Sequence, residues 1–124
     1  MKLILVIDDD SQIRTMLKAM LEREDFSVIV ASDGKEGMEL FAQKPVDLII
    51  TDLIMPEKEG IEVIQELKKS NSKIPIIAIS GGGKNSPDIY LNIAKLLGAD
   101  AIFEKPFEKD KLINAVKKSL KLNN

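Results

Sequence analysis

The chain has 124 residues, of which 44% are hydrophobic and 31% charged, so we expect one globular domain over residues 1–124 and no second functional domain. Its formal net charge of -2 at pH 7 offers no basic footprint for nucleic acid, and direct nucleic-acid binding is not expected. Cysteine and histidine are absent, which excludes a disulfide framework, a thiol nucleophile and the commonest zinc ligands.

Five short apolar runs alternate with segments of helical periodicity. The predicted strands cover residues 2–7, 26–31, 46–51, 74–79 and 101–104. The runs are apolar nearly throughout, as in strands that are buried on both faces of a parallel sheet. The first run is too short for a signal peptide core or a membrane span. We therefore expect a cytoplasmic protein with no membrane insertion.

The segments between the runs are long enough for helical crossovers and carry helix start signals. Asp10 or Ser11 can cap the first helix, and Ser32 or Asp33 the second. The predicted apolar faces are formed by Ile13, Met16, Leu17, Met20 and Leu21; by Met38, Leu40 and Phe41; by Ile61, Ile64 and Leu67; by Ile89, Ile93, Ala94 and Leu97; and by Leu112, Ile113, Val116 and Leu120. The last helix is predicted over residues 108 to 122.

Five repeats of strand and helix, joined by right-handed crossovers, predict an α/β three-layer sandwich around a five-stranded parallel sheet. Periodicity does not give the order of the strands. Among doubly wound sheets, the flavodoxin-like order 2-1-3-4-5 places strands 1 and 3 side by side at the switch point where ligands bind. That order would bring Asp8, Asp9 and Asp52 together.

Polar residues stand where four of the runs end: Asp8 and Asp9, Asp52, Ser80, and Lys105. Because the carboxyl ends of parallel strands share one edge of a sheet, we expect these side chains to converge. Crowded carboxylates repel one another unless a cation lies between them. Mg²⁺ prefers oxygen ligands and keeps positions open for water or phosphate oxygens. The sequence therefore predicts a Mg²⁺ site on the three aspartates.

The same residues predict phosphoryl transfer. Asp52 is the candidate nucleophile, because a carboxylate can attack a phosphoryl group to give an aspartyl phosphate. Lys105 would neutralise charge during the transfer, and Ser80 could donate its hydroxyl to a phosphoryl oxygen. Taken alone, a lysine is usually solvated and a serine at a strand end usually caps a turn. The shared position of these residues favours the functional interpretation.

Taken together, these motifs resemble the receiver domain of two-component response regulators, of the stand-alone type. The resemblance runs essentially from end to end and rests on the Asp8-Asp9 pair, the stretch Asp52-Leu53-Ile54-Met55-Pro56 that closes at Gly60, Ser80, and Lys105-Pro106-Phe107. It implies that Asp52 accepts a phosphoryl group from a sensor histidine kinase or a histidine phosphotransfer protein. It further implies that the backbone carbonyl of Ile54 joins the three aspartates in holding Mg²⁺.

The resemblance also implies contact between Lys105 and the phosphoryl group, a cis bond between Lys105 and Pro106, and signalling through helix 4, strand 5 and helix 5 to a downstream protein that the sequence does not identify. The residue at the position of the family's switch aromatic is Ile102, and Phe103 should face the opposite side of the strand. Glu59 replaces the usual Asp or Asn, and the glycine-rich loop at 81–85 looks longer than usual. We expect that loop and helix 4 to carry the output change.

Two other functions are compatible with some of these residues. A Mg²⁺-dependent phosphatase of the haloacid dehalogenase kind needs the pattern D-x-D-x-[TV], whereas Ser11 and Gln12 follow the aspartates here. An interaction module that has lost phosphorylation would not need the acidic set, Ser80 and Lys105 together. We therefore expect a phosphoacceptor switch that promotes only its own phosphorylation and dephosphorylation, and not an enzyme acting on other substrates.

The residues near Asp52 also predict a long-lived phosphoryl group. In the family, polar side chains two residues after the phosphorylated aspartate and two after the conserved hydroxyl help to orient the hydrolytic water. Here these positions are Ile54 and Gly82, which cannot hold a water through side-chain hydrogen bonds. We expect Ile54→Asn to accelerate self-dephosphorylation roughly tenfold, or about 1.4 kcal/mol of barrier. Loss of label from the purified phosphoprotein measures this rate, and a wild-type half-life of seconds would contradict the prediction.

Overall fold

The computed structural model describes residues 1–53, 60–70, 73–81 and 87–122. Strands and helices alternate through these ranges as the sequence predicts. In chain order they are β1 (Leu3–Ile7), α1 (Ser11–Glu22), β2 (Ser27–Ala31), α2 (Gly34–Gln43), β3 (Leu48–Asp52), α3 (Gly60–Lys69), β4 (Ile76–Gly81), α4 (Pro87–Leu97), β5 (Ala101–Lys105) and α5 (Lys109–Ser119).

The strands form one sheet in the order β2-β1-β3-β4-β5, and every strand pair is parallel. The predicted flavodoxin-like order is thus confirmed. In the register of the two central strands, Ile7 lies opposite Thr51. The next residues along these strands are Asp8 and Asp52, so the register brings the two carboxylates side by side.

Helices cover both faces of the sheet and enclose two apolar clusters. The α1–α5 core lies between the sheet and helices α1 and α5, and its buried residues include Val6, Ile50, Ile79, Leu17, Leu21, Leu112 and Val116. The α2–α4 core lies on the other face, against α2, α3 and α4, and includes Leu5, Ile7, Ile49, Ala78, Val63, Ile64 and Ala94. Successive strand residues alternate between the two cores, as the pleat requires.

Aspartates cap the first two helices. The Asp10 carboxylate accepts a hydrogen bond from the Gln12 N–H at 2.9 Å, and Asp33 accepts one from the Glu36 N–H at 2.8 Å. Each cap satisfies one of the N–H groups that a helix start leaves without an intrahelical partner. Helix α4 begins at Pro87 as predicted, while its predicted cap, Ser86, lies outside the described residues. In the described ranges, no helix is both long and apolar enough to cross a membrane.

Strands β3 and β4 are displaced toward their carboxyl ends relative to the prediction, and β5 begins where predicted but extends one residue further. They begin at Leu48, Ile76 and Ala101 and extend through Asp52, Gly81 and Lys105. The reason is pairing, because Asp52 lies opposite Ile79 in the ladder and Lys105 opposite Gly81. A polar side chain does not end a strand whose backbone groups still have partners. Asp52 and Lys105 are therefore strand residues held by the sheet.

Among the helix residues whose burial the structure describes, Met16 and Ile93 were predicted to face the core but are exposed. Met16 on α1 is 43% exposed and Ile93 on α4 is 38% exposed, whereas Leu17 is fully buried. On α1 the buried residues are Leu17, Met20 and Leu21, a stripe narrower than the predicted apolar face. Periodicity marks which residues could face a core, but the neighbouring elements decide how wide the covered stripe is.

The difference between Met16 and Leu17 can be measured as stability. Leu17→Ala should lower the free energy of unfolding by about 2 to 5 kcal/mol, because it leaves a cavity in the α1–α5 core. Met16→Ala, one residue away on the same helix, should change it by no more than about 0.5 kcal/mol. Urea unfolding followed by circular dichroism measures both. Equal losses in the two variants would show that α1 is oriented differently.

Candidate functional site

Three carboxylates meet at the carboxyl edge of the sheet. Asp8 and Asp9 follow β1 and Asp52 ends β3, and one carboxylate oxygen from each lies within 4.8 Å of the others. Asp8 and Asp52 are only 1% and 6% exposed, while Asp9 is exposed to solvent. The convergence predicted from the strand ends is therefore present in the fold.

Lys105 joins this group from two strands away. Its Nζ donates a hydrogen bond to Asp8 Oδ2 at 2.9 Å and lies 3.5 Å from Asp52 Oδ2. Two residues earlier on β5, Phe103 packs against the α1–α5 core. Because side chains alternate along a strand, Lys105 lies on the same face of the sheet as Phe103, and its long aliphatic chain reaches the carboxylates.

The electrostatics of the group make the ionisation of Asp8 costly. Burial raises the pKa of Asp8 above its usual value of 3.8, although hydrogen bonds from the Asp10 N–H and from Lys105 favour the ionised form. Burial by itself would lower the pKa of Lys105, but its hydrogen bond with Asp8 and the charge of Asp52 outweigh burial and raise that pKa. The ammonium stays charged at neutral pH, yet it does not offset the cost of ionising Asp8. An additional cation would favour the ionised carboxylates.

Ser80 brings a buried hydroxyl to the same edge of the sheet. It is the penultimate residue of β4 and is fully buried. Within the described ranges, nothing forms a hydrogen bond with its Oγ atom. A buried hydroxyl left in this state costs about 1 to 3 kcal/mol. An oxygen atom of a bound group could accept its hydrogen bond.

The donor set fits a hard divalent cation such as Mg²⁺, because it consists of clustered carboxylate oxygens without sulfur or imidazole. The buried Asp8, whose ionisation is costly, is where such a charge would help most. The predicted backbone ligand, Ile54, lies outside the described residues. So do Glu59 and Gly82, on which the sequence analysis also placed expectations.

Backbone contacts around Asp52 were not foreseen from the sequence. The Thr51 hydroxyl donates a hydrogen bond to the Asp52 carbonyl oxygen at 2.9 Å. Gly60 packs directly against the same peptide, and a Cβ added there would touch the Asp52 carbonyl oxygen and lie 2.8 Å from the Leu53 Cα atom. Glycine at position 60 therefore allows a close backbone approach behind Asp52. Its place at the end of the Asp52 motif was the only signal for this.

Arg14 is a second contact that the sequence did not reveal. Its guanidinium group donates a hydrogen bond to the Asp8 carbonyl oxygen at 2.7 Å. A single arginine on an amphipathic helix usually faces solvent, so the sequence pattern around Arg14 did not predict this contact. The contact depends on how the first turns of α1 lie over the end of β1.

The two sides of β5 differ as the sequence predicts. Ile102 packs against the α2–α4 core, and Phe103 packs against the α1–α5 core. The Phe103 ring makes an edge-to-face contact with Phe107, with the ring centroids 6.2 Å apart. The peptide bond between Lys105 and Pro106 is cis, as the resemblance implies.

Comparison with known proteins identifies the family. The model of the response regulator receiver domain matches residues 4–117. The chain belongs to this family. It is 35% identical over 121 residues to the transcriptional regulatory protein CpxR of Escherichia coli K12, covering 98% of this chain and 50% of that protein. This receiver domain thus spans about half the length of the curated relatives it matches.

Solved structures agree with this assignment. A receiver domain protein from Clostridium thermocellum is similar with a TM-score of 0.89 at 29% identity, over 98% of this chain and 95% of that one. The Francisella response regulator 1452 receiver domain has a TM-score of 0.88 at 32% identity, with 98% of each chain covered. The family acts in two-component signalling, where phosphorylation is typical, and it is a family of signalling domains.

The raised pKa of Asp8 predicts how the stability of the fold depends on pH. Because the folded-state pKa is raised, the contribution of this group to stability is complete below pH 3.8 and is lost as pH rises through the raised pKa. Asp8→Asn, which cannot ionise, should therefore be more stable than the wild type at pH 7, and the difference should shrink as pH falls to 4. Lys105 retains Asp52 as an ion-pair partner in this variant.

Urea unfolding in the presence of EDTA measures the effect without interference from divalent cations. Asp110→Asn, at an exposed position on α5, makes the same chemical change away from the site and should leave the pH dependence unaltered. An Asp8→Asn protein that is less stable than the wild type at pH 7 would contradict the prediction.

Proposed function

We propose that residues 1–124 form one receiver domain that takes a phosphoryl group from the phosphohistidine of a sensor histidine kinase or histidine phosphotransfer protein onto Asp52. The observation that carries this proposal is the position of Asp52 at a strand end, 3.5 Å from the Lys105 ammonium and within 4.8 Å of the Asp8 and Asp9 carboxylates. A nucleophilic carboxylate beside a fixed cation and further metal-type ligands is the arrangement that phosphoryl transfer needs.

In this reaction an Asp52 carboxylate oxygen forms a bond to phosphorus while the bond between phosphorus and the donor's imidazole nitrogen breaks. The bonding electrons leave with the imidazole, which takes up a proton. Asp52 itself loses no proton, because it attacks as the carboxylate. The sheet and the close approach of Gly60 hold the backbone of Asp52 from behind, so the carboxylate can be directed at the incoming phosphorus.

Lys105 and Ser80 would contact the phosphoryl group after its transfer to Asp52. The Lys105 ammonium, now bonded to Asp8 and close to Asp52, would turn to a phosphoryl oxygen and neutralise part of its charge. The buried Ser80 hydroxyl would donate its hydrogen bond to another phosphoryl oxygen. That hydrogen bond would remove the cost of an unsatisfied buried hydroxyl and so stabilise the phosphorylated form.

Asp8, Asp9 and Asp52 would hold Mg²⁺, with the Ile54 carbonyl as a further ligand. When bound, Mg²⁺ would supply positive charge to the carboxylates and to the phosphoryl oxygens during transfer. Asp8 contributes a buried carboxylate whose orientation is held by hydrogen bonds from the Asp10 N–H and from Lys105. Asp9 contributes an exposed carboxylate at the mouth of the site.

The output surface in this proposal is α4, β5 and α5, which would contact a downstream protein in the cytoplasm. Ser80 and Lys105 belong to the two strands that flank α4 in the chain, so changes in their contacts can bias that helix. On α4, Leu96 is 87% exposed and Ile93 is 38% exposed, which supports an interaction role for this helix. No specific observation favours a phosphatase or a module without phosphorylation.

Labelling with a small phosphodonor tests the proposal. Incubation with acetyl phosphate and Mg²⁺ should add one phosphoryl group, measured by intact mass, and Asp52→Asn should reduce the label to background because the nucleophile is gone. Asp110→Asn, the same change at an exposed position, should label like the wild type. Full labelling of Asp52→Asn would refute the assignment. Continuous phosphate release without stable label would indicate a phosphatase.

A further inference from the structure

Asp8 is held through four different atoms. Its N–H donates to the Ala31 carbonyl oxygen on β2 at 3.1 Å, and its carbonyl oxygen accepts from Arg14 on α1 at 2.7 Å. Its carboxylate accepts from the Asp10 N–H and from Lys105, each at 2.9 Å. Two of these contacts, with Ala31 and Asp10, are made by backbone groups, and a third is made by Lys105, which belongs to the proposed site. Arg14 is the contact that neither the chemistry nor the secondary structure requires.

The contact of Arg14 acts on the peptide that joins Asp8 to Asp9. The oxygen it binds belongs to that peptide, so the guanidinium group resists rotation of the peptide plane. A hydrogen bond from a charged donor is shorter and stronger than one between neutral groups, and 2.7 Å is at the short end of that range. Rotation of this peptide would move the carboxylate of Asp9.

Asp9 is the member of the acidic group that depends on this restraint. Its carboxylate is exposed, and among the described residues it forms no hydrogen bond or ion pair of its own. Without such a bond, the Asp9 side chain is directed only by its backbone, which sets the position of the Cβ atom. The distance of Asp9 from the other two carboxylates is therefore controlled through the preceding peptide.

We propose that Arg14 is a positioning residue, which holds the Asp8–Asp9 peptide so that Asp9 points into the group of carboxylates that binds a divalent cation. This inference rests on the proposed function, because it assigns the acidic group to Mg²⁺. Arg14 acts from behind the site, through a backbone oxygen, and does not touch the metal ligands' carboxylates.

The sign of the effect separates this role from simple electrostatics. Arg14 carries a positive charge close to a cation site, so its charge alone would repel Mg²⁺, and its removal would tighten binding. A positioning role predicts the opposite, since losing the restraint lets Asp9 move away from its fellow ligands. Removal of groups that orient metal ligands typically weakens metal binding by 10 to 100-fold.

Lys18 provides a matched control on the same helix. Its Nζ also donates to a strand carbonyl, that of Val28 on β2 at 3.3 Å, and it forms an ion pair with Glu22 at 2.7 Å. Lys18→Met and Arg14→Met each remove one positive charge and one hydrogen bond from α1 to a backbone carbonyl oxygen, and Lys18→Met also removes the ion pair with Glu22. Only the second of these changes acts on the acidic pair.

The test is a titration with Mg²⁺ followed by amide chemical shifts, together with acetyl phosphate labelling at limiting and saturating Mg²⁺. Arg14→Met should raise the Mg²⁺ dissociation constant about tenfold, whereas Lys18→Met should leave it unchanged. Labelling of Arg14→Met should be slow at limiting Mg²⁺ and return to the wild-type rate at saturation. Arg14→Lys, which keeps the charge but not the planar donor, should give an intermediate dissociation constant.

Mg²⁺ binding by Arg14→Met that equals or exceeds that of the wild type would overturn the inference, as would an equal loss in Lys18→Met. A fall in urea stability with unchanged Mg²⁺ binding would show that Arg14 only stabilises the fold. If Arg14→Met does not fold, the dissociation constant of Arg14→Lys decides in the same way. If the wild-type protein is labelled on Asp52 and Arg14→Met binds Mg²⁺ normally, only this inference is refuted. If the wild-type protein is neither labelled nor binds Mg²⁺, the proposed function is refuted as well.

Discussion

The crowding of negative charge at the carboxyl edge of the sheet is the constraint on which the rest of this site depends. Asp8 and Asp52 are both nearly buried, and the Lys105 ammonium lies 2.9 Å from an oxygen of Asp8 and 3.5 Å from an oxygen of Asp52. Burial still raises the pKa of Asp8, so the folded protein holds an arrangement that works against its own stability. Such an arrangement is relieved by additional positive charge, which is the requirement that a divalent cation meets.

The parallel sheet makes this crowding difficult to avoid. Strands β1 and β3 are neighbours, and the last pair in their register is Ile7 and Thr51. The next residue on each chain segment is an aspartate, Asp8 or Asp52. Because side chains alternate along a strand, Lys105 starts from the same face as Phe103, on the side of the α1–α5 core. Reaching the acidic group then requires only the length of a lysine side chain. The same ladder that stabilises the fold therefore also determines which charges meet.

Near the site, β5 differs from the switch arrangement that the resemblance implies. At the strand residue opposite Ala78, β5 carries Ile102, which packs into the α2–α4 core. The neighbouring aromatic, Phe103, faces away from it and contacts Phe107. An aromatic ring on β5 therefore cannot follow the state of Ser80 by a simple rotation. In the proposed function, the exposed apolar residues of α4, Leu96 and Ile93, make that helix the candidate for carrying a signal to a partner.

The amino-acid sequence by itself predicted the number and kind of the elements and the polar residues that stand at the strand ends, because apolar runs, helical periodicity and strand-end polar residues are local patterns. It also favoured the strand order, because the flavodoxin-like order is a common one among doubly wound sheets and would bring the aspartates together. The tertiary structure decided what depends on distances between remote residues. These are the extension of β3 and β5 through Asp52 and Lys105, the exposure of Met16, the close approach of Gly60 and the hold of Arg14 on Asp8. Each arises from how one packed element meets another, and a linear pattern does not carry that information.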